Sequence, residues 1–271
     1  MAGYVAIQRS LHLNAGYTPV TDLSFTAGMT TVPLMKEELP FVIQHMAVAF
    51  QKRTVGSETL YELVGLQSMS PGKNMFLTPE GRWFSGYMPA FYRAHPFALR
   101  SAEQGNQLQL SIKSDCINDQ PAETDLRFFE DDNTLTPRMQ EIAKFLAESL
   151  RSRDVTLKLC KALVDANLIE PWPIKFTGPD ENNKPQAKTL EGLFHIDVQA
   201  LKRLPAEQLA VLNSSGALDI AYGQLFSELR LKDLAALQTA QEELQQPKTR
   251  QGVAEPDLDE LFGNKDDLFS F

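Results

Sequence analysis

Six residues carry the side chains best suited to holding a ligand: Asn74, Arg82, Trp83, Tyr87, Arg93 and His95. Five of them fall within residues 81–99, GRWFSGYMPAFYRAHPFAL, where aromatics, cations and two prolines, Pro89 and Pro96, crowd more closely than anywhere else in the chain. Arginine offers a fixed fork of donors to a carboxylate and an aromatic ring offers flat contact area, so this mixture suits a carboxylate-bearing or peptide ligand. The same residues can instead fill a core edge, with arginine bridging backbone carbonyls, and aromatic clusters serve packing first. Asn74, close to Phe76, reads as a turn residue or as a ligand contact.

Other constellations are incomplete. His195 and Asp197 have the H-x-D spacing with which a strand points an imidazole and a carboxylate at one metal. That triad takes a later histidine, but His195 is the last of the four, and Asp197 reads as a helix cap. Gly72-Lys73-Asn74 resembles the end of a phosphate loop, yet Gln67 stands where its first glycine belongs and Asn74 replaces Ser or Thr. Glu130-Asp131-Asp132 lacks the glycine and downstream glutamate of a helix-loop-helix calcium site and reads as a solvated turn. There is no G-x-S-x-G elbow, and neither Cys116 nor Cys160 has a histidine nearby in sequence. His12 and His45 are isolated, and Tyr222, Gln224 and Ser227 read as helix packing. The expectation is no metal, no cofactor and no complete catalytic set.

A chain of 271 residues that is 43% hydrophobic has the material for a real core. Its net charge of −9 argues against broad electrostatic binding to nucleic acid or anionic lipid. Two cysteines without CxxC spacing fit reduced thiols in the cytoplasm. The first residues show no basic region followed by an apolar run, and no stretch approaches the ~18 apolar residues of a membrane span. The expected location is cytoplasmic.

These side chains must be positioned by elements whose periodicity changes midway. Residues 1–35 read as irregular β structure, 37–45 as a short helix, 47–51, 59–66 and 75–77 as strands, 87–94 as a short helix ended by Pro96, and 108–114 as a strand. After the acidic turn, Thr136 caps and Pro137 starts a helix with Met139, Ile142, Leu146 and Leu150 on one stripe, and Asp154 is expected to cap a second. Residues 174–176 read as extended, 178–188 as a polar loop, 190–196 as a strand, and Asp197 as the cap of a helix over 198–204. Further helices follow Pro205 and Gly216 and run on to Leu244. The fold class is therefore α+β: a β-rich half over 1–131, a helical half over 132–246 expected to share its core, and a disordered acidic tail over 247–271. The tail sets Leu261, Phe262, Leu268, Phe269 and Phe271 among six acids, the composition of a docking peptide or of a solubilising tail.

The pattern G-R-W followed by Y-x-P-A-F-x-R-x-x-P-F, over Gly81 to Trp83 and Tyr87 to Phe97, resembles the signature of the SapC family, bacterial proteins named for an association with surface-array (S-layer) systems. Further matching blocks lie at 65–66, 74–77, 169–172, 190–197 and 216–227, so the likeness covers most of residues 1 to about 240. It implies an accessory protein that binds a peptide or protein ligand and assists modification or export of surface proteins. Such a protein has a protein partner of the export or modification machinery and no nucleic acid. Two other readings stay open: an enzyme acting on peptides or small molecules with a partner oxidoreductase, since relatives are encoded near halogenase-like and cupin-like proteins, and a structural S-layer protein, which needs an export route.

Overall fold

The computed structural model describes residues 3–102, 107–179 and 185–245. Its strands are β1 (Tyr4–Ala6), β2 (Gly16–Tyr17), β3 (Thr31–Pro33), β4 (Val48–Val55), β5 (Glu58–Leu66), β6 (Phe97–Ser101), β7 (Leu108–Lys113), β8 (Leu126–Arg127), β9 (Ile169–Pro171), β10 (Ile174–Pro179), β11 (Pro185–Leu190) and β12 (Leu193–Ile196). The helices are α1 (Arg9–His12), α2 (Leu39–Val42), α3 (Ala90–Arg93), α4 (Pro137–Asp165), α5 (Val198–Lys202), α6 (Ala206–Ser215), α7 (Ala217–Ser227) and α8 (Arg230–Gln245). This is an α+β fold with a β-rich front and a helical back.

The main sheet runs β3-β5-β4-β12-β9 with every neighbouring pair antiparallel. Its spine is the β4–β5 hairpin, closed by Gly56 at a positive φ in the first of two turn positions, which matches the twist of paired strands. Alternation along β5 gives way to burial of both faces from Glu62 to Leu66, because layers cover the sheet there on both sides. Around it pack Phe50, Leu63, Leu66, Tyr92, Leu163, Leu168, Ile196 and Ile220, drawn from both halves of the sequence. A second core of Tyr17, Phe97, Ile112, Phe128 and Met139 lies under the smaller sheet β1-β7-β6 and the β2–β8 ladder.

Helix α4 ties the two cores together. Thr136 Oγ1 accepts from Met139 N and Pro137 occupies the first turn, as the sequence predicts. The helix then runs for 29 residues without the expected break, ~43 Å at 1.5 Å per residue. Met139 and Leu146 enter the second core and Leu159, Cys160 and Leu163 the first. Asp154 is not a cap: it pairs with Lys158 within the helix. Neighbouring side chains grip the front half instead, with Ser152 Oγ donating to Glu37 and Arg153 Nη2 to Glu62 at 2.6 Å. No Gly or Pro interrupts 138–165, so nothing stops propagation. Asn167, in the left-handed region at φ 54°, turns the chain out.

Four local expectations fail for local reasons. Residues 75–77 form only a bridge, Leu77 to Trp83, inside a turn-rich loop. Helix α3 is four residues long because Pro89, extended at ψ 142°, delays its start. Residues 190–196 are two strands divided at Gly192, φ 83°. Most of the supposed polar loop is strand, because Phe176 to Lys188 and Ile174 to Leu190 are in register across β10–β11. Asp197 does cap α5, its Oδ1 accepting from Gln199 N and Ala200 N. Among the described residues no helix is long and apolar enough to cross a membrane.

Candidate functional site

Residues 81–99 wrap the edge of the first core, and each turn of the segment has a fixed anchor. Gly81, φ 75°, gives its carbonyl to Leu23 N at 2.8 Å, and any Cβ there would overlap the Asp22 carboxylate and the Ser24 hydroxyl. The tight crossing delivers Trp83, whose Nε1 donates to Tyr87 O at 3.0 Å while its ring stacks on Phe76 at 5.4 Å and meets Tyr92 edge-on at 5.6 Å. Tyr92, almost wholly buried, donates to Gln67 Oε1 at 2.7 Å. Asn74 proves to be a buried turn residue, with Oδ1 accepting from Phe76 N and Nδ2 donating to Thr26 Oγ1. It lines neither of the cavities formed by this segment.

The hub under the segment is Glu38, a carboxylate only 3% exposed. Its Oε1 accepts from Ala90 N at 2.7 Å and Tyr87 Oη at 3.0 Å, and its Oε2 from Met35 N at 2.9 Å. Arg93 Nη2 donates to Tyr87 Oη at 3.0 Å, with its guanidinium packed over the rings of Tyr87 and Phe145. Burial, reinforced by the Glu38 charge, pushes the Tyr87 phenol up to about 12. Tyr87 and Arg93 are thus held in place from behind. Glu38 escaped the sequence reading, although a glutamate three residues after Met35 and ahead of an apolar run carries the signal of a helix start that bonds back to its own entry.

Two cavities flank this wall. A cleft of about 520 Å³ is lined by Arg82, Trp83, Tyr92, Arg93 and His95 together with Leu23 and Met88. Four of the six sequence candidates therefore converge, with Tyr87 supporting them from behind and Asn74 apart. Arg82 is exposed, and its guanidinium makes no hydrogen bond or ion pair with a described residue, Glu80 being a nearby charge. His95 stacks on Phe25 at 4.0 Å, and burial, with help from Lys113, lowers its imidazole to about 4, so it is neutral at physiological pH. No carboxylate is among the described lining residues, so the cleft offers fixed donors and flat rings to an anionic or peptide-like group. On the other side of His95 lies a second cavity of about 440 Å³ with mainly apolar walls.

His195 has a different use from metal binding. Its Nδ1 faces Glu228 Oε1 at 3.0 Å and its Nε2 faces Glu170 Oε1 at 3.5 Å, on opposite sides of a ring stacked on Trp172 at 5.1 Å. Two carboxylates on opposite nitrogens cannot share one ion with it, and no cluster of metal-ligating side chains occurs among the described residues. The acidic turn is held by its own contacts, Asp132 Oδ1 accepting from Thr134 N and Asp131 pairing with Arg127. Leu261, Phe262, Leu268, Phe269 and Phe271 lie outside the described residues.

Searches of curated proteins and of solved structures find no match for this chain. A family model described as SapC matches residues 7–234, which takes in the buried residues of both cores, the aromatic segment and, apart from Tyr4, the lining of both cavities. The chain belongs to the SapC family.

Proposed function

We propose that this protein is an accessory factor that binds a peptide or protein segment in the cleft of Arg82, Trp83, Arg93 and His95 and assists modification or export of surface proteins. The observation that carries the reading is that cleft, in which signature side chains converge around an arginine whose guanidinium makes no hydrogen bond or ion pair with a described residue. Arg82 takes a carboxylate of the bound segment, and Trp83 and Tyr92 give it flat contact area. Glu38 and Arg93 make the wall rigid, so little side-chain freedom is lost when the segment binds. The protein works without a cofactor, in the cytoplasm, with the acidic tail recruiting a partner through Leu261, Phe262, Leu268, Phe269 and Phe271. The test is capture from native lysate by the full chain, by Arg82→Ala with Trp83→Ala, and by a chain ending at residue 247, with retained proteins identified by mass spectrometry. The reading expects a protein of the surface-export or modification machinery that the double variant loses. Retention of the same proteins by the double variant overturns the assignment of the cleft.

A further inference from the structure

The cavity of about 440 Å³ lies on the seam between the two cores, with Leu34 supplied by the first and Phe97, Leu99 and Leu146 by the second. Its size falls in the range of small-molecule sites, roughly 300–1,000 Å³. Phe25, Phe91 and Leu150 border it and are themselves 43%, 48% and 39% exposed, so apolar surface is presented to solvent where a ligand enters.

The polar groups in its wall are few and unequal. Glu38 has both oxygens committed to Met35 N, Ala90 N and Tyr87 Oη. His95 is neutral and lies flat on Phe25. Lys113 holds its ammonium 5.1 Å from the Phe25 ring and makes no ion pair with a described residue, while Asp115, two residues on, accepts from Cys116 Sγ. Arg153 gives Nη2 to Glu62, but its Nε is buried without a hydrogen-bond partner. Unanswered donors on an apolar wall call for one anionic head on an apolar body.

We infer that this cavity binds a small amphiphile of the fatty-acid class, its chain lying between the two cores and its carboxylate on Lys113. The site is distinct from the Arg82 cleft, from which His95 separates it.

The test is calorimetric titration of the full chain with dodecanoate, decanoate and dodecanol. Dodecanoate is expected to bind one to one, and shortening the chain weakens it by roughly fourfold per methylene. Lys113→Met weakens dodecanoate by about tenfold and leaves dodecanol unchanged. Leu150→Trp, on an exposed face of α4 where the fold tolerates bulk, blocks both probes, and Arg82→Ala changes neither. A urea midpoint matching the wild type certifies that each variant is folded. Failure of dodecanoate to bind, or binding that ignores both Lys113→Met and Leu150→Trp, overturns the assignment. So does a Lys113-dependent complex with a synthetic peptide of residues 255–271 that is tighter than dodecanoate, which gives the cavity to the tail. Self-association abolished by Leu150→Trp gives it to a second copy and overturns it equally.

Discussion

Replacing Glu38 by alanine strips three donors of their acceptor at once, and the structure says which of them can recover. Met35 N and Tyr87 Oη sit at partly buried positions where water can reach, and Tyr87 keeps its contact with Arg93. Ala90 N is buried and donates to Glu38 Oε1 at 2.7 Å. An unpaired buried donor costs ~1–3 kcal/mol, and a hydrogen bond to a charged group contributes ~1.5–3 kcal/mol, so one full loss and two partial ones sum to ~3–5 kcal/mol. Glu38→Gln keeps one oxygen for Ala90 and Tyr87 but turns an amide donor toward Met35 N, for about 1–2 kcal/mol. Urea unfolding followed by circular dichroism and by tryptophan fluorescence measures both. A loss below about 1 kcal/mol for Glu38→Ala, or an equal loss for the two variants, would refute the view that this carboxylate anchors the aromatic wall.

Three further outcomes follow from named contacts. Gly81→Ala is expected to cost about 2 kcal/mol or more, from the positive φ and the overlap with Asp22 and Ser24, while Gly28→Ala, in open space, leaves the urea midpoint nearly unchanged. His95 has an ordinary pKa of 6.5 when unfolded and about 4 when folded, so as pH falls the unfolded chain takes up its proton first. Stability therefore declines between pH 6.5 and 4 and this contribution levels off below; His95→Gln flattens that decline in part, leaving the share of His45, which burial shifts the same way. Cys160, fully buried with its thiol pushed up to about 12, resists a thiol reagent at pH 8 until the chain is unfolded, whereas the part-exposed Cys116 reacts slowly in the fold; modification of two thiols in the native protein would contradict this packing.

What the sequence makes legible is what local chemistry decides. Thr136 with Pro137, Asp197, Pro205 and Gly216 set helix ends through bonds that span three or four residues, and each of these boundaries is found. The break expected at Asp154 fails because a good capping residue does not stop a helix whose flanks have tertiary partners, here Glu37 and Glu62 on the front half. The site divides along the same line. Crowded aromatics and arginines mark the segment, but which of them face the cleft depends on Glu38, far back in the chain, and on Gln67 beneath Tyr92.

The block around Gln224 shows the limit of such reading most clearly. Strand β12 pairs with β4 only at Leu193 with Gln51 and Phe194 with Phe50, and in that register Ile196 would stand opposite Val48, two places on. Instead the wholly buried side chain of Gln224 stands between them, its Oε1 accepting from Ile196 N at 3.0 Å and its Nε2 donating to Val48 O at 3.3 Å. Ser227 Oγ accepts from Val48 N at 2.8 Å, so the three backbone groups left by the parting strands are all answered by α7. A glutamine and a serine three residues apart look like ordinary helix positions, since the strand groups they answer are more than twenty residues away in sequence. Buried backbone groups must nevertheless find acceptors and donors, and where these two strands diverge inside the core side chains of α7 supply them. Helix α7 thereby completes the main sheet where β12 and β4 part, so Gln224→Ala, which strips Ile196 N and Val48 O of their partner, is expected to destabilise the fold.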